Sequence, residues 1–277
     1  MKNIPILSNS PLLFVNYCFI IELYIYRKEV ASMGEVIAIL SGKGGTGKTS
    51  VCAGIATALA ELDASVLCID CDMGLRNLDL ALGMSQEGTL NFLDVCQQGY
   101  DLGFSTEHPN FPSLRFLTAP INCPAGAVDL PSFYAMLCAA REEFDYIFLD
   151  APAGVEAGFR LAARHADRML LVTGSDPASI RDAGHTGELL ELMGKQEIRL
   201  IVNRVNRKML KAMKLTIDDI MDQAGLPLLG VVPEDMKVTL AAAAGEALLD
   251  FAPRGAAAAA CRRIAKRIKG IRVPISI

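Results

Sequence analysis

Gly42-Lys43-Gly44-Gly45-Thr46-Gly47-Lys48-Thr49 is the stretch of this chain whose residue types and spacing carry chemistry most plainly. It completes G-x-x-x-x-G-K-[ST], in which glycines reach backbone angles closed to other residues, so that consecutive N–H groups can curl around phosphate oxygens. In that pattern Lys48 reaches the β- and γ-phosphates and Thr49 turns its hydroxyl to Mg²⁺. The loop needs a buried strand before it and a helix after it, whose positive end faces the anion. Both are in place. Val36 to Leu40 is a wholly apolar run, and Val51, Ile55, Ala58, Leu59 and Leu62 recur at helical spacing over Ser50 to Leu62.

Two carboxylates end predicted strands, and a third follows one of them closely. Ser65 to Asp70 is one such strand, and Asp145 to Asp150 is an apolar run closing in an acid, a Walker B pattern. Asp72 follows two residues after Asp70, at the carboxyl edge where open α/β sheets bind ligands. Phosphate-bound Mg²⁺ takes few protein oxygens and keeps several waters. Asp72 is therefore expected to hold a metal-bound or attacking water, Asp70 to support it, and Asp150 to serve the metal together with Thr49.

One lysine is not needed to cradle a single nucleotide. Lys43 makes the loop K-G-G-x-G-K-T, which resembles the deviant phosphate loop of the MinD/ParA class of P-loop ATPases. Asp70 to Leu80, D-x-D-x-G-L-R-N-L-D-L, looks like the septum-site-determining MinD branch of that class. It is less like the ParA partition branch, and flagellar-number regulators usually have alanine at the Arg76 position. Asp150-Ala151-Pro152-Ala153-Gly154 is similar to the family's D-x-P-A-G, and Arg181-Asp182 recurs in the same branch.

The resemblance covers nearly all of residues 34 to 260 and implies an α/β fold: a doubly wound, mostly parallel sheet with helices on both faces. It implies ATP and Mg²⁺ as cofactors, held by Gly42 to Ser50, with Lys43 crossing a two-fold interface to the other subunit's nucleotide and joining Lys48, Asp72 and Asp70 in catalysis. Gly154 would let backbone approach the γ-phosphate. Asn203-Arg204 would read the adenine edge, since an amide donates and accepts at once, and Pro233-Glu234-Asp235 would form a second base-side loop. It further implies slow, partner-stimulated hydrolysis, an ATP-joined homodimer, a MinC-like septum inhibitor as partner, and a MinE-like regulator or polar scaffold. Val205 to Lys211 departs from the pattern by being basic.

The chain has 277 residues, enough for one large domain, and 52% hydrophobic content with a net charge of −4 gives no global reason for nucleic-acid binding. A mean hydropathy of +0.32 suits a sheet covered on both faces. Residues 1–32 fit poorly. Pro11 to Tyr26 is apolar but short for a span and contains Glu22, and no small-residue cleavage site follows, so translation starting at Met33 is the preferred reading, with a real but disordered or surface-packed extension as the alternative. Lys28-Glu29-Val30 can be encoded by a ribosome-binding sequence. Cys68 and Cys71 form C-x-x-C, but residues three apart on a strand face opposite ways, and the eight cysteines read as small core residues. His108, in the 100–113 loop, reads as solvated.

Residues 33–255 are expected to form the ATPase domain and 256–277 a basic amphipathic tail. Cys261, Ile264, Ile268 and Ile271 recur on one helical face, with Arg262, Arg263, Lys266, Arg267, Lys269 and Arg272 over most of the rest. In the family such a helix lies on anionic membrane. The resemblance therefore places the protein in the cytoplasm, peripheral at the inner face of the cell membrane through 261–272. The same pattern also fits a final helix packed on the domain. Two rival functions remain: a ParA-like or flagellar positioning ATPase acting on nucleoid DNA or a polar complex, and an iron–sulfur carrier. The second lacks a paired C-x-x-C near the C-terminus.

Overall fold

The computed structural model describes residues 33–73, 75–85, 90–99, 101–120 and 128–276. The chain separates into two units, Met1–Met33 and Gly34–Ile277, and every element below belongs to the second. The reading of residues 1–32 lies outside the described residues, as does Cys123.

In chain order the elements are β1 Glu35–Leu40, α1 Lys48–Ala60, β2 Val66–Asp70, α2 Leu78–Leu82, α3 Phe92–Gln98, β3 Thr106–Glu107, β4 Leu114–Leu117, α4 Leu130–Glu143 and β5 Tyr146–Asp150. There follow α5 Ala157–His165, β6 Arg168–Thr173, α6 Pro177–Leu192, β7 Ile198–Val205, α7 Arg207–Met213, α8 Ile217–Ala224, β8 Leu228–Pro233, α9 Met236–Ala244, α10 Leu248–Phe251 and α11 Ala256–Ile268. The strands form one sheet in the order β3-β4-β2-β5-β1-β6-β7-β8. Among the described residues only the β3–β4 pairing is antiparallel. This is the expected doubly wound arrangement. From central β1 the chain winds to one edge and then to the other, so the carboxyl ends of β1, β2, β5, β6, β7 and β8 share a rim.

Alternation along β1 divides the core. Val36, Ala38 and Leu40 face a cluster holding Phe92, Phe133, Phe159 and Leu190, while Ile37 and Ile39 face one holding Ile55, Leu59, Leu248 and Ile264. The C-x-x-C follows the same rule, with Cys68 in the second cluster and Cys71 in the first. Both are free and fully buried, and among the described residues no group of three or more His, Cys, Asp or Glu is placed to hold a metal ion.

Two expectations are corrected here. His108 is 2% exposed. Its Nδ1 accepts the Asn110 N–H at 3.1 Å, which leaves the proton on Nε2 to donate to the Leu82 carbonyl at 2.8 Å. Burial holds the imidazole below its ordinary pKa. A histidine with both ring nitrogens satisfied is a pin between the 106–114 segment and α2, a pairing too distant in sequence to be read there.

The second correction concerns the tail. The isoleucine face of α11 is core: Ala257, Ala258, Cys261, Ile264, Ala265 and Ile268 are all buried against α1 and β8. A Cβ on Gly54 would meet Cys261 Sγ at 2.7 Å, and one on Gly230 would collide with Ile264. The run Ala256 to Ala260 is thus the small-residue surface that lets α11 close on the loop's own helix. Arg262 clamps Glu61 of the residue turn after α1 with two bonds of 2.6 Å. The sequence pattern of an amphipathic anchor and of a last core helix is the same, and here the helix is core.

Candidate active site

The phosphate loop leaves β1 at Ser41 and enters α1 at Lys48. Gly45 and Gly47 sit at φ +81° and +82°, in the left-handed region. At Gly47 space adds to conformation, because a Cβ there would run into Asn203 Nδ2. Gly42 is held just as tightly, with a Cβ placed 2.6 Å from the Asp182 carbonyl of α6. Two hydroxyls of this segment, Ser41 Oγ and Thr46 Oγ1, are buried without a partner among the described residues. Orphaned donors in a glycine-built hollow are what an oxyanion would satisfy.

Lys48 and Asp150 form a buried ion pair, Nζ to Oδ1 2.7 Å, with side chains 7% and 2% exposed. Lys48 also lies 3.4 Å from Thr49 Oγ1. Burial pushes the Asp150 carboxyl above its usual range, and the Lys48 ammonium opposes it. The strand ends at β5 and the helix start at α1 thereby bring together the three expected groups, Lys48, Thr49 and Asp150.

Asp70 stands opposite Asp150 in the β2–β5 register and is fully buried. Its Oδ1 accepts the Asp72 N–H at 2.8 Å and its Oδ2 the Leu78 N–H at 3.2 Å. Burial, with the neighbouring Asp150 charge, raises its pKa to about 7. Each oxygen thus accepts one backbone N–H, and Asp70 ties the ends of the 72–78 loop. Asp72 remains at the rim, half-buried, accepting the Leu75 N–H at 3.2 Å.

Asn203 and Arg204 both come to the site, and both hydrogen-bond the phosphate loop. The Asn203 amide donates to the Thr46 carbonyl at 2.7 Å, and Arg204 donates to the Gly45 carbonyl at 3.0 Å. One N–H of the Asn203 amide is engaged by the loop, which leaves its second N–H and its acceptor oxygen for a base. Beside them opens a cavity of about 490 Å³ bordered by Gly47, Ser50 and Asn203, by Pro233 and Glu234, and by an apolar floor of Leu248 and Cys261. Asp235 also borders it, yet its carboxylate caps two helices, taking the Lys237 N–H at 3.0 Å and the Ala257 N–H at 3.2 Å. Of the base-side loop, Asp235 is therefore framework.

Lys43 is exposed at the mouth, 3.7 Å from Asp176, whose carboxylate caps α6 through the Ser179 N–H at 3.0 Å. The Ser179 hydroxyl and N–H, and then Lys43, hold the Asp176 carboxyl below its usual range. Asp176, the partner of Lys43, is not among the residues that the sequence singles out. Gly154 has φ +87° with open space on its Cβ side, and its N–H donates to the Ser41 carbonyl at 3.1 Å.

The sequence profile of the CobQ/CobB/MinD/ParA nucleotide-binding domain matches residues 37–249. A septum site-determining protein MinD from Synechocystis sp. is 35% identical over 244 residues, covering 87% of this chain and 92% of that protein. Among solved structures, the MinC:MinD cell division protein complex of Aquifex aeolicus aligns at TM-score 0.80 and 35% identity, covering 88% of this chain and 99% of that one. The septum site-determining protein MinD of Pyrococcus horikoshii, solved with Mg-ADP, aligns at TM-score 0.73 and 27% identity over 85% of this chain and 96% of that one.

Proposed function

The chain belongs to the CobQ/CobB/MinD/ParA family of nucleotide-binding domains, and from that premise we propose that it is an MgATP-dependent, dimerising ATPase that places the division septum. The observation that carries this reading is the buried Lys48–Asp150 pair beneath a K-G-G-x-G-K-T loop whose extra lysine, Lys43, stands exposed at the mouth. The residues present fit the nucleotide: left-handed glycines, two orphaned hydroxyls and a lysine next to a base-sized cavity.

When bound, MgATP supplies the phosphoryl group transferred to water. Gly42 to Ser50 would cradle its phosphates and Thr49 with Asp150 would serve the metal, Asp72 contributing from the rim through water. Lys48 exchanges Asp150 for phosphate. Asp72 orients the attacking water, and Lys43 leaves Asp176 to reach the second subunit's nucleotide. Catalysis of this kind is positioning and charge neutralisation. Hydrolysis is slow and quickened by a partner.

The relative solved with MinC supports a septum-inhibitor partner for this chain, and the septum-site names of the relatives favour that reading over a ParA-like one acting on DNA. Location at the inner face of the cell membrane belongs to the same reading. It does not run through Ile264 and Ile268, which are core. The exposed surface available for it is Lys266, Lys269 and Arg272 with Ile271 and Ile275, each cation worth about 1 kcal/mol near an anionic surface. Among the described residues no helix is long and apolar enough to cross a membrane.

The test is sedimentation and hydrolysis on protein starting at Met33. ATP with Mg²⁺, but not ADP, should drive dimerisation; Lys43→Ala should retain nucleotide and lose the dimer. A dimer indifferent to nucleotide sinks the proposal. Pelleting with anionic vesicles under ATP should disappear in a Lys266→Glu, Lys269→Glu, Arg272→Glu variant, and its persistence there would remove this surface from the membrane role.

A further inference from the structure

In a regular strand Asn203 and Arg204 would point to opposite faces of the sheet. Here both reach the phosphate loop. The cause is an irregularity in the β7–β8 ladder: Val202 pairs with Val231 and Val205 with Pro233, so β7 carries one extra residue between those pairs. Arg204 absorbs it at φ +54°, a conformation that a long side chain rarely adopts. A strained residue in a bulge at the rim of a site calls for an explanation in the site.

The two acceptors are consecutive carbonyls, Gly45 and Thr46. Among the described residues all peptide bonds are trans. In a trans peptide the C=O of one residue and the N–H of the next point opposite ways. Fixing Gly45 O outward on Arg204 therefore turns the Thr46 N–H inward, and fixing Thr46 O on Asn203 does the same for the Gly47 N–H. The buried, unpartnered Thr46 hydroxyl lies in the same turn.

We propose that Arg204 is a positioning residue for the phosphates rather than a reader of the base. The bulge aims its guanidinium at the back of the loop, and with Asn203 it holds two successive N–H donors in anion-binding orientation before any ligand arrives. Arg204 also borders both the base-side cavity and a 240 Å³ hollow containing Lys43 and Asp176, so the anchor stands between the nucleotide and the Lys43 arm. This deepens the nucleotide reading and rests on it.

The experiment is calorimetric binding of ATP, ADP, GTP and inorganic pyrophosphate, each with Mg²⁺, to wild type and to Arg204→Ala, Arg204→Gln, Arg204→Lys and Arg204→Gly, with melting curves beside it. Loss of one charge-assisted hydrogen bond that preorganises the loop should weaken ATP, ADP and pyrophosphate alike by about tenfold in Arg204→Ala, leaving the ATP-to-GTP ratio unchanged. Arg204→Gln, neutral but still a donor, should recover part of the loss. Arg204→Gly should melt no lower than wild type, because it removes the left-handed strain, yet bind as poorly as Arg204→Ala. A fall in the ATP-to-GTP ratio, or pyrophosphate binding left intact, would show contact with the base and overturn the proposal. Rescue by Arg204→Lys with none by Arg204→Gln would show a charge acting on phosphate and overturn it too. Wild type that binds neither ATP nor pyrophosphate overturns the nucleotide reading, and this one with it.

Discussion

Removing the Lys48 ammonium while leaving its shape, as in Lys48→Met, strands Asp150 in the interior. Both side chains are nearly sealed from water, at 7% and 2% exposed, and the bond between them is 2.7 Å. Breaking a buried pair at one end costs about 3–5 kcal/mol, because the surviving charge has lost its partner without regaining water. For a domain of this size each kcal/mol moves Tm by roughly 2–4 °C, so the nucleotide-free variant should melt about 6–20 °C below wild type at pH 7.5. The deficit should depend on pH with a definite sign. Burial already raises the Asp150 carboxyl above its ordinary 3.8, and deleting Lys48 removes what opposes that rise. The folded variant then keeps a proton that the unfolded chain gives up. Its penalty is complete above the raised pKa and shrinks as pH falls toward 3.8, by at most about 1.4 kcal/mol per unit. Lys48→Met with Asp150→Asn should recover most of the stability while binding no nucleotide. The assay is thermal circular dichroism in chelator from pH 5 to 8. A Lys48→Met protein melting within about 2 °C of wild type at pH 7.5 would refute the reasoning, as would a double variant no more stable than the single one.

Three further outcomes follow from the geometry. Gly47→Ala needs a left-handed alanine and displaces the Asn203 amide, so it should lose nucleotide binding by direct titration while lowering Tm only modestly. Asp70, with its pKa near 7 when folded against 3.8 ordinarily, makes nucleotide-free stability fall as pH rises through that window, by up to about 1.4 kcal/mol per unit. Asp70→Asn should flatten that slope in melts from pH 5 to 7.5, and an unchanged slope would place the titration elsewhere. Ile264→Ala, fully buried between α1 and β8, should cost about 2–5 kcal/mol in urea unfolding, whereas a membrane-facing isoleucine would cost almost nothing in solution.

The phosphate loop and the acid beneath it were legible because their parts are local. The strand, loop and helix around Gly42 to Thr49 are contiguous, and Asp150 announces itself by ending an apolar run. What escaped depends on pairings across long separations. Arg204 meets Gly45 159 residues away, and Lys43 finds Asp176 by chain winding, not spacing. The tail escaped for another reason. A stripe of isoleucines opposite arginines describes any helix with one greasy side, and only the surface it meets distinguishes lipid from protein. Here Gly54 and Gly230 supplied the answer, as two missing side chains that make room for Cys261 and Ile264. His108 misled in the opposite direction, since the carbonyl that satisfies it belongs to Leu82.

The closure of α11 on α1 has a consequence for how the protein is made. The phosphate loop and its helix are among the first parts of the domain to leave the ribosome, but the layer that seals that helix, and the floor of the cavity beside it, comes from Leu248, Ala257 and Cys261. A nascent chain therefore carries its most recognisable motif long before it can hold a ligand there. Competence to bind waits for α11, and a chain lacking that helix leaves α1 bare on one side.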